Sequence, residues 1–130
     1  MSEHRNVTVI NRMTAAVFEN DRDTLAEVFT ENVEFHVRGP LPRPGDHRGL
    51  DGFLRALGAI FELTDGDVKI EQLFCAADGP WAAEWEHCVL GRSGKTLETK
   101  NAFIYRFEDR RIAEMWMICA AFTGSEAFWN

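Results

Sequence analysis

A chain of 130 residues holds one hydrophobic core and is too short for two, and 45% hydrophobic against 27% charged residues is globular composition. The formal charge is −7, with Lys and Arg scattered singly apart from Arg110–Arg111. That leaves no basic stripe for nucleic acid or an anionic membrane surface. In chain order, Val7, Ile10, Met13, Val17 and Phe18 recur at helical spacing, which predicts a helix over about residues 4–19. Asp21 or Asp23 can cap a second, short helix that buries Leu25, Val28 and Phe29 and stops near Asn32. Residues 33–37 alternate like a strand, and Gly39 to Gly45 carry three prolines, which dictates a stiff loop. Asp51 is placed to cap a third helix that buries Phe53, Leu54, Leu57, Ile60 and Phe61.

The second half changes period. Residues 68–77, 81–91, 96–107 and 111–122 are rich in β-branched and aromatic side chains, and short turns at 78–80, 92–94 and 109–110 separate them. Such turns make an antiparallel meander, and helices followed by a meander give an α+β layer structure. On the last strand, Ile112, Trp116 and Ile118 alternate with Met115, Met117 and Cys119, so both faces require cover. Helices can cover one. A second copy of the chain is the economical cover for the other, which predicts a homodimer through the sheet.

Cys75, Cys88 and Cys119 lack CxxC spacing and sit in apolar runs, so they are expected as buried thiols rather than disulfides or zinc ligands. No histidine or carboxylate spacing predicts a metal, and neither a phosphate loop nor a dinucleotide fingerprint predicts a cofactor. Met1 to Asn6 has no apolar segment of a signal peptide, and the apolar runs fall short of a membrane span. One domain over residues 1–130, working in the cytoplasm, is expected.

Three stretches resemble the SnoaL-like domains of the nuclear-transport-factor-2-like superfamily: Asn20 to Phe29 running into Asn32–His36, the glycine-proline connection from Gly39 to Gly49, and the close from Asn101 to Ile112. The resemblance implies a cone-shaped curved antiparallel sheet wrapped around helices, in the order α-α-β-α-β-β-β-β, with an apolar cavity inside. It also implies a pocket for a small hydrophobic molecule, and often acid–base chemistry in a dry cavity. The steroid isomerases of the group carry their base where His36 stands here. Their oxyanion donors fall on Met13 and Phe103, and another subgroup's last-strand carboxylate falls on Met117, so those chemistries are disfavoured.

Alternation alone puts Glu34, His36 and Arg38 on a wet face, whereas the resemblance makes His36 a candidate catalytic group at an imidazole pKa near ~6.5. On residues 82–90, Trp85, His87 and Val89 share one face and Glu84 and Glu86 the other. With the aromatic face inward, His87 is a second catalytic candidate. With the glutamates inward, they form a carboxylate pair in which one pKa raises the other. The first arrangement is the expected one. Asn101, Phe103, Tyr105 and Phe107 share a face, on which Asn101 and Tyr105 serve as polar handles in an apolar wall. Phe35, Trp85, Phe103, Tyr105, Met115 and Met117 are the expected lining. The functions in view are a cofactor-independent isomerase, cyclase or dehydratase on a hydrophobic carbonyl compound, non-catalytic binding of an apolar metabolite, or a dimeric interaction module.

Overall fold

The computed structural model describes residues 4–120 and 124–130. Helix α1 (Arg5–Glu19) buries Val7, Ile10, Met13 and Ala16, and Asn20 ends it in the left-handed region at φ 58°. Helix α2 (Arg22–Val28) is capped by the Asp21 carboxylate, which accepts from the Thr24 amide at 3.1 Å. It stops earlier than Asn32, because Phe29 already pairs with Ile112 as the first residue of β1 (Phe29–Arg38). The proline loop leads into a short strand not read from the sequence, β2 (Gly45–Arg48). Helix α3 (Gly49–Leu63) follows, with Arg48 rather than Asp51 at its cap position. Asp51 lies in the first turn, where it favours the helix dipole and pairs with Arg22.

The meander forms as expected: β3 (Val68–Asp78), β4 (Trp81–Arg92), β5 (Lys95–Glu108) and β6 (Arg111–Cys119). Residues 121 and 122 of the expected last strand lie outside the described residues. The chain closes instead with a helix, α4 (Ser125–Trp129). The curved six-stranded sheet has the order β2-β1-β6-β5-β4-β3. All neighbours are antiparallel except β1 and β6, which run parallel, so the expected wholly antiparallel sheet is corrected at that one seam. No described helix is long and apolar enough to cross a membrane.

The helices cover the concave face. Val33, Phe35 and Val37 from β1 meet Met115, Met117 and Cys119 from β6, and Phe53 and Ile60 of α3 close over them. A bulge at Ala113 lets Ile112 and Met115 both turn inward, whereas strict alternation would put Ile112 with Trp116. At the far end, Phe128 of α4 packs on Cys88, Leu90 and Leu97. Arg92 and Lys95 donate to the carbonyls of Phe128 and Ala127 at 2.9 and 2.8 Å, which satisfies the end of that helix.

Where β1 leaves the sheet, Gly39 adopts φ 105°, and a Cβ there would stand 3.0 Å from Cys119 Cβ and 3.3 Å from its carbonyl oxygen. Both strain and collision forbid a side chain. Gly39→Ala is expected to destabilise by roughly 1–3 kcal/mol. Urea titration checks this, as a lower midpoint with an unchanged slope. An unchanged midpoint would contradict the close approach.

Candidate functional site

Between α1, α3 and the concave face lies a cavity of about 80 Å³. Its walls are largely apolar, from Met13, Val17, Phe35, Phe53, Ile60, Phe103, Met115 and Met117. Apart from Thr14 on α1, the polar groups come from two neighbouring strands: Glu84 and Glu86 on β4, Thr99, Asn101 and Tyr105 on β5. The lining contains two carboxylates and, among the described residues, no Lys, Arg or His.

The orientation of β4 is opposite to the expected one. Residues 82, 84, 86, 88 and 90 are the buried set, so the glutamates face the cavity and Trp85, His87 and Val89 face away. Hydrogen bonding explains why charge beats apolarity here. Tyr105 Oη donates to Glu84 Oε1 at 2.7 Å, Gln72 Nε2 donates to Glu84 Oε2 at 2.7 Å, and Asn101 Nδ2 donates to Glu86 Oε1 at 3.4 Å. Trp85 loses nothing outside, because it lies half-buried between Phe74 and Ala102 on a convex face that is itself apolar. His87 bonds Glu98 there at 2.7 Å and is removed from the catalytic candidates.

His36 is corrected in the same way. It projects from the convex face, as strand alternation dictates once Phe35 and Val37 are buried. Its ring nitrogens meet Asp46 Oδ1 and Glu114 Oε2, each at 2.7 Å, and the ring stacks near Trp116 with centroids 5.1 Å apart. Burial pushes the pKa of His36 down, but the hydrogen bonds it donates to Asp46 and Glu114, with their charges, outweigh it and hold the value above 6.5. His36 therefore ties β2, β1 and β6 together, on the wrong side of the sheet to reach the cavity. Glu34, His36 and Glu114 bring ligand atoms within 4.8 Å of one another, the geometry of a metal site. Arg48 and Arg106 already neutralise the two glutamates, which leaves little charge for a cation.

Phe35, Asn101, Phe103, Tyr105, Met115 and Met117 do line the cavity. The acid–base chemistry available there belongs to the glutamates. Burial, then the charge on Glu84, push the Glu86 pKa up to about 7 against a partly opposing hydrogen bond from Asn101. Burial, then Glu84, raise the Tyr105 phenol well above 10, so it remains a donor. Burial pushes the Cys88 thiol up to about 12, which makes it an inert wall rather than a nucleophile. The pair was visible in principle. With a two-residue turn after Arg92, Glu86 must oppose Asn101 and Glu84 must oppose Phe103, and directly opposed residues share a face.

A family model described as the SnoaL-like domain matches residues 10–115. No curated protein matches the sequence. Among solved structures, the chain is similar to Bal32a from a soil-derived mobile gene cassette, at 24% identity and TM-score 0.86 over 97% of each chain. It also resembles IdmH of Streptomyces antibioticus, provisionally assigned as a polyketide cyclase, at 18% identity and TM-score 0.75 over 89% of this chain and 92% of that one. A third likeness is an NTF2-like protein of Burkholderia xenovorans, at 22% identity and TM-score 0.73 over 100% and 99% of the two chains.

The raised pKa has a consequence for stability. The folded state binds the Glu86 proton more tightly than the unfolded chain, so folding weakens as pH rises from 4.5 to about 7. Glu86→Gln removes that penalty. Relative to the parent, the variant gains nothing from this source below the unfolded pKa and on the order of 3 kcal/mol above the folded one. Denaturant titrations of both proteins from pH 4 to 8.5 measure the difference. A pH-independent difference would mean that Glu86 is not buried in its ionised form.

Proposed function

Since the chain belongs to the SnoaL-like domain family, we propose that it takes a small hydrophobic carbonyl compound into the cavity and moves a proton on it, with Glu86 as the acid–base group. The observation that carries this reading is the buried carboxylate pair. Glu84 has both oxygens engaged by Tyr105 and Gln72, and its fixed charge helps hold Glu86 near a pKa of about 7. A base poised there is half ready to accept and half ready to donate at neutral pH. The provisional cyclase assignment of IdmH supports the same class of chemistry.

In this reading ionised Glu86 removes a proton from the carbon beside the carbonyl, and the electron pair moves onto the carbonyl oxygen. Protonated Glu86 then returns the proton to another atom. Return to carbon is isomerisation, return to a departing hydroxyl is dehydration, and return to the alkoxide left when the enolate attacks a second carbonyl is cyclisation. The dry, aromatic walls strengthen each electrostatic interaction on the way.

Deuterium exchange at the α-carbon of 2-tetralone, followed by NMR, tests the proton transfer. The parent should accelerate exchange, with a rate that rises with pH and levels off above about 7. Glu86→Gln should slow it by about 10²–10⁴-fold. Exchange undiminished in the variant would sink the assignment, and saturable binding without Glu86-dependent exchange would leave a ligand-binding protein without turnover.

A second proposal concerns assembly and compartment. On the convex face Phe74, Trp85, Ala102 and Ile118 stand opposite one another in a row across β3, β4, β5 and β6. Phe74, Trp81 and Ile118 are 55%, 48% and 38% exposed, which is costly for side chains of this size. These features support a homodimer through the sheet. The reduced thiols of Cys75, Cys88 and Cys119 support the cytoplasm as its compartment. Joint replacement Trp116→Glu and Ile118→Lys should give a monomer in sedimentation velocity at micromolar concentration. A dimer that persists would place the interface elsewhere.

A further inference from the structure

Asn101 is 3% exposed, lines the cavity and uses only half of its amide. Its Nδ2 donates to Glu86 Oε1, while Oδ1 is buried without a hydrogen-bond partner among the described residues. Turning the amide over would set Oδ1 against a carboxylate oxygen, two acceptors facing each other whenever Glu86 is ionised. The neighbour therefore fixes which atom is left open. Most other polar groups of the lining are already engaged: Glu84 by Tyr105 and Gln72, the Tyr105 hydroxyl by Glu84, the Thr14 hydroxyl by the Ile10 carbonyl, and Thr99 by Cys88. An open acceptor at the polar corner of an apolar cavity is a demand for a donor.

Charge narrows the class of donor. With two carboxylates and no cationic side chain in the lining, an anionic ligand is repelled. An ammonium could pair with ionised Glu86, but the apolar walls around that corner offer no acceptors for its remaining protons. A hydroxyl brings one donor and no charge.

We propose that Asn101 Oδ1 beside Glu86 is a hydroxyl-recognition subsite, and that the ligand is an uncharged hydrophobic molecule whose O–H donates to Asn101 while its carbon skeleton lies among Phe35, Phe103, Met115 and Met117. The proposal rests on the cavity being the ligand site and not on turnover there. If turnover occurs, it selects among the three reactions. A β-hydroxy ketone held by its hydroxyl at Asn101 has that hydroxyl next to Glu86, because one amide touches both. Glu86 takes the α-proton, the C–H pair becomes the new C=C bond, and the C–O bond breaks with its electrons going to oxygen. The proton on Glu86 passes to that oxygen, and the products are an enone and water.

Titration calorimetry with the full chain at pH 8 tests the subsite, using phenol, toluene, benzoate and benzylamine as single-ring probes. The flexible walls at Met13, Met115 and Met117 can yield to such a ring. Phenol should bind roughly tenfold tighter than toluene, and the two charged probes weaker than toluene. In Asn101→Val the preference for phenol should vanish while toluene still binds; Asn101→Leu replaces that variant should it fail to fold. Equal binding of phenol and toluene by the parent, a phenol preference that survives in the variant, or benzylamine as the tightest ligand would each overturn the subsite. No binding by any of the four would bring down the cavity reading itself, and the subsite with it.

Discussion

A two-residue turn decides what this protein can do. Ser93 and Gly94 both take positive φ, at 52° and 78°, the conformation whose twist matches the strands on either side. With the turn fixed at Arg92 opposite Lys95, the β4–β5 register follows without freedom for eleven further pairs. That register puts two carboxylates, an amide and a phenol on one concave wall. A slip of one residue would instead put Trp85 and His87 inside and leave the cavity without an acid. The polar bonds of the wall hold the same register, since Tyr105 reaches Glu84 only in this alignment.

Most of the architecture could be read from residue patterns. The long helices, the capping Asp21, the turns of the meander and the inward faces of β1 and β5 all follow from local spacing, where apolar and polar residues separate cleanly; on β6, apolar on both faces, only the family resemblance turns Met115 and Met117 inward. The reading failed where both faces of a strand are apolar. On β4 the outward Trp85 and Val89 are as hydrophobic as any core residue, so hydrophobicity could not choose a face, and the choice fell on the wrong one. Cross-strand register was the available remedy: Asn101, Phe103 and Tyr105 were already assigned inward, and their hairpin partners are Glu86, Glu84 and Ala82. His36 went wrong for the opposite reason. Alternation placed it outside, and a family position was allowed to override the period of the strand. The short β2 and α4 left weaker signals, a charged Gly-Asp-His-Arg segment and a five-residue helix held by Arg92 and Lys95 rather than by its own periodicity.

The two faces of the sheet use charge in contrasting ways. On the convex side around His36 the acids have basic partners: Glu34 with Arg48, Asp46 with Arg38 and His36, Glu114 with Arg106 and His36. Such pairs contribute little individually, yet together they hold three strands in line. On the concave side the acids meet only neutral donors. Neutral donors stabilise a carboxylate less than a cation does, so a buried glutamate stays close to the point where it changes state. The wall thereby keeps Glu86 titrating near neutrality, while the outside is electrostatically settled.

The parallel seam between β1 and β6 carries a consequence for how the cavity comes into being. Phe35 and Met115 are paired neighbours in the sheet and line the same cavity, yet they enter the chain far apart, and the bond between His36 and Glu114 spans 78 residues. A contact of that separation is among the slowest to form, because the intervening chain must surrender its freedom before the pair gives anything back. The hairpins of the meander can assemble early and locally. The enclosed space cannot exist until the last strand inserts beside the first. The cavity is thus a property of the finished molecule alone, and a growing or partly unfolded chain has no half-formed version of it.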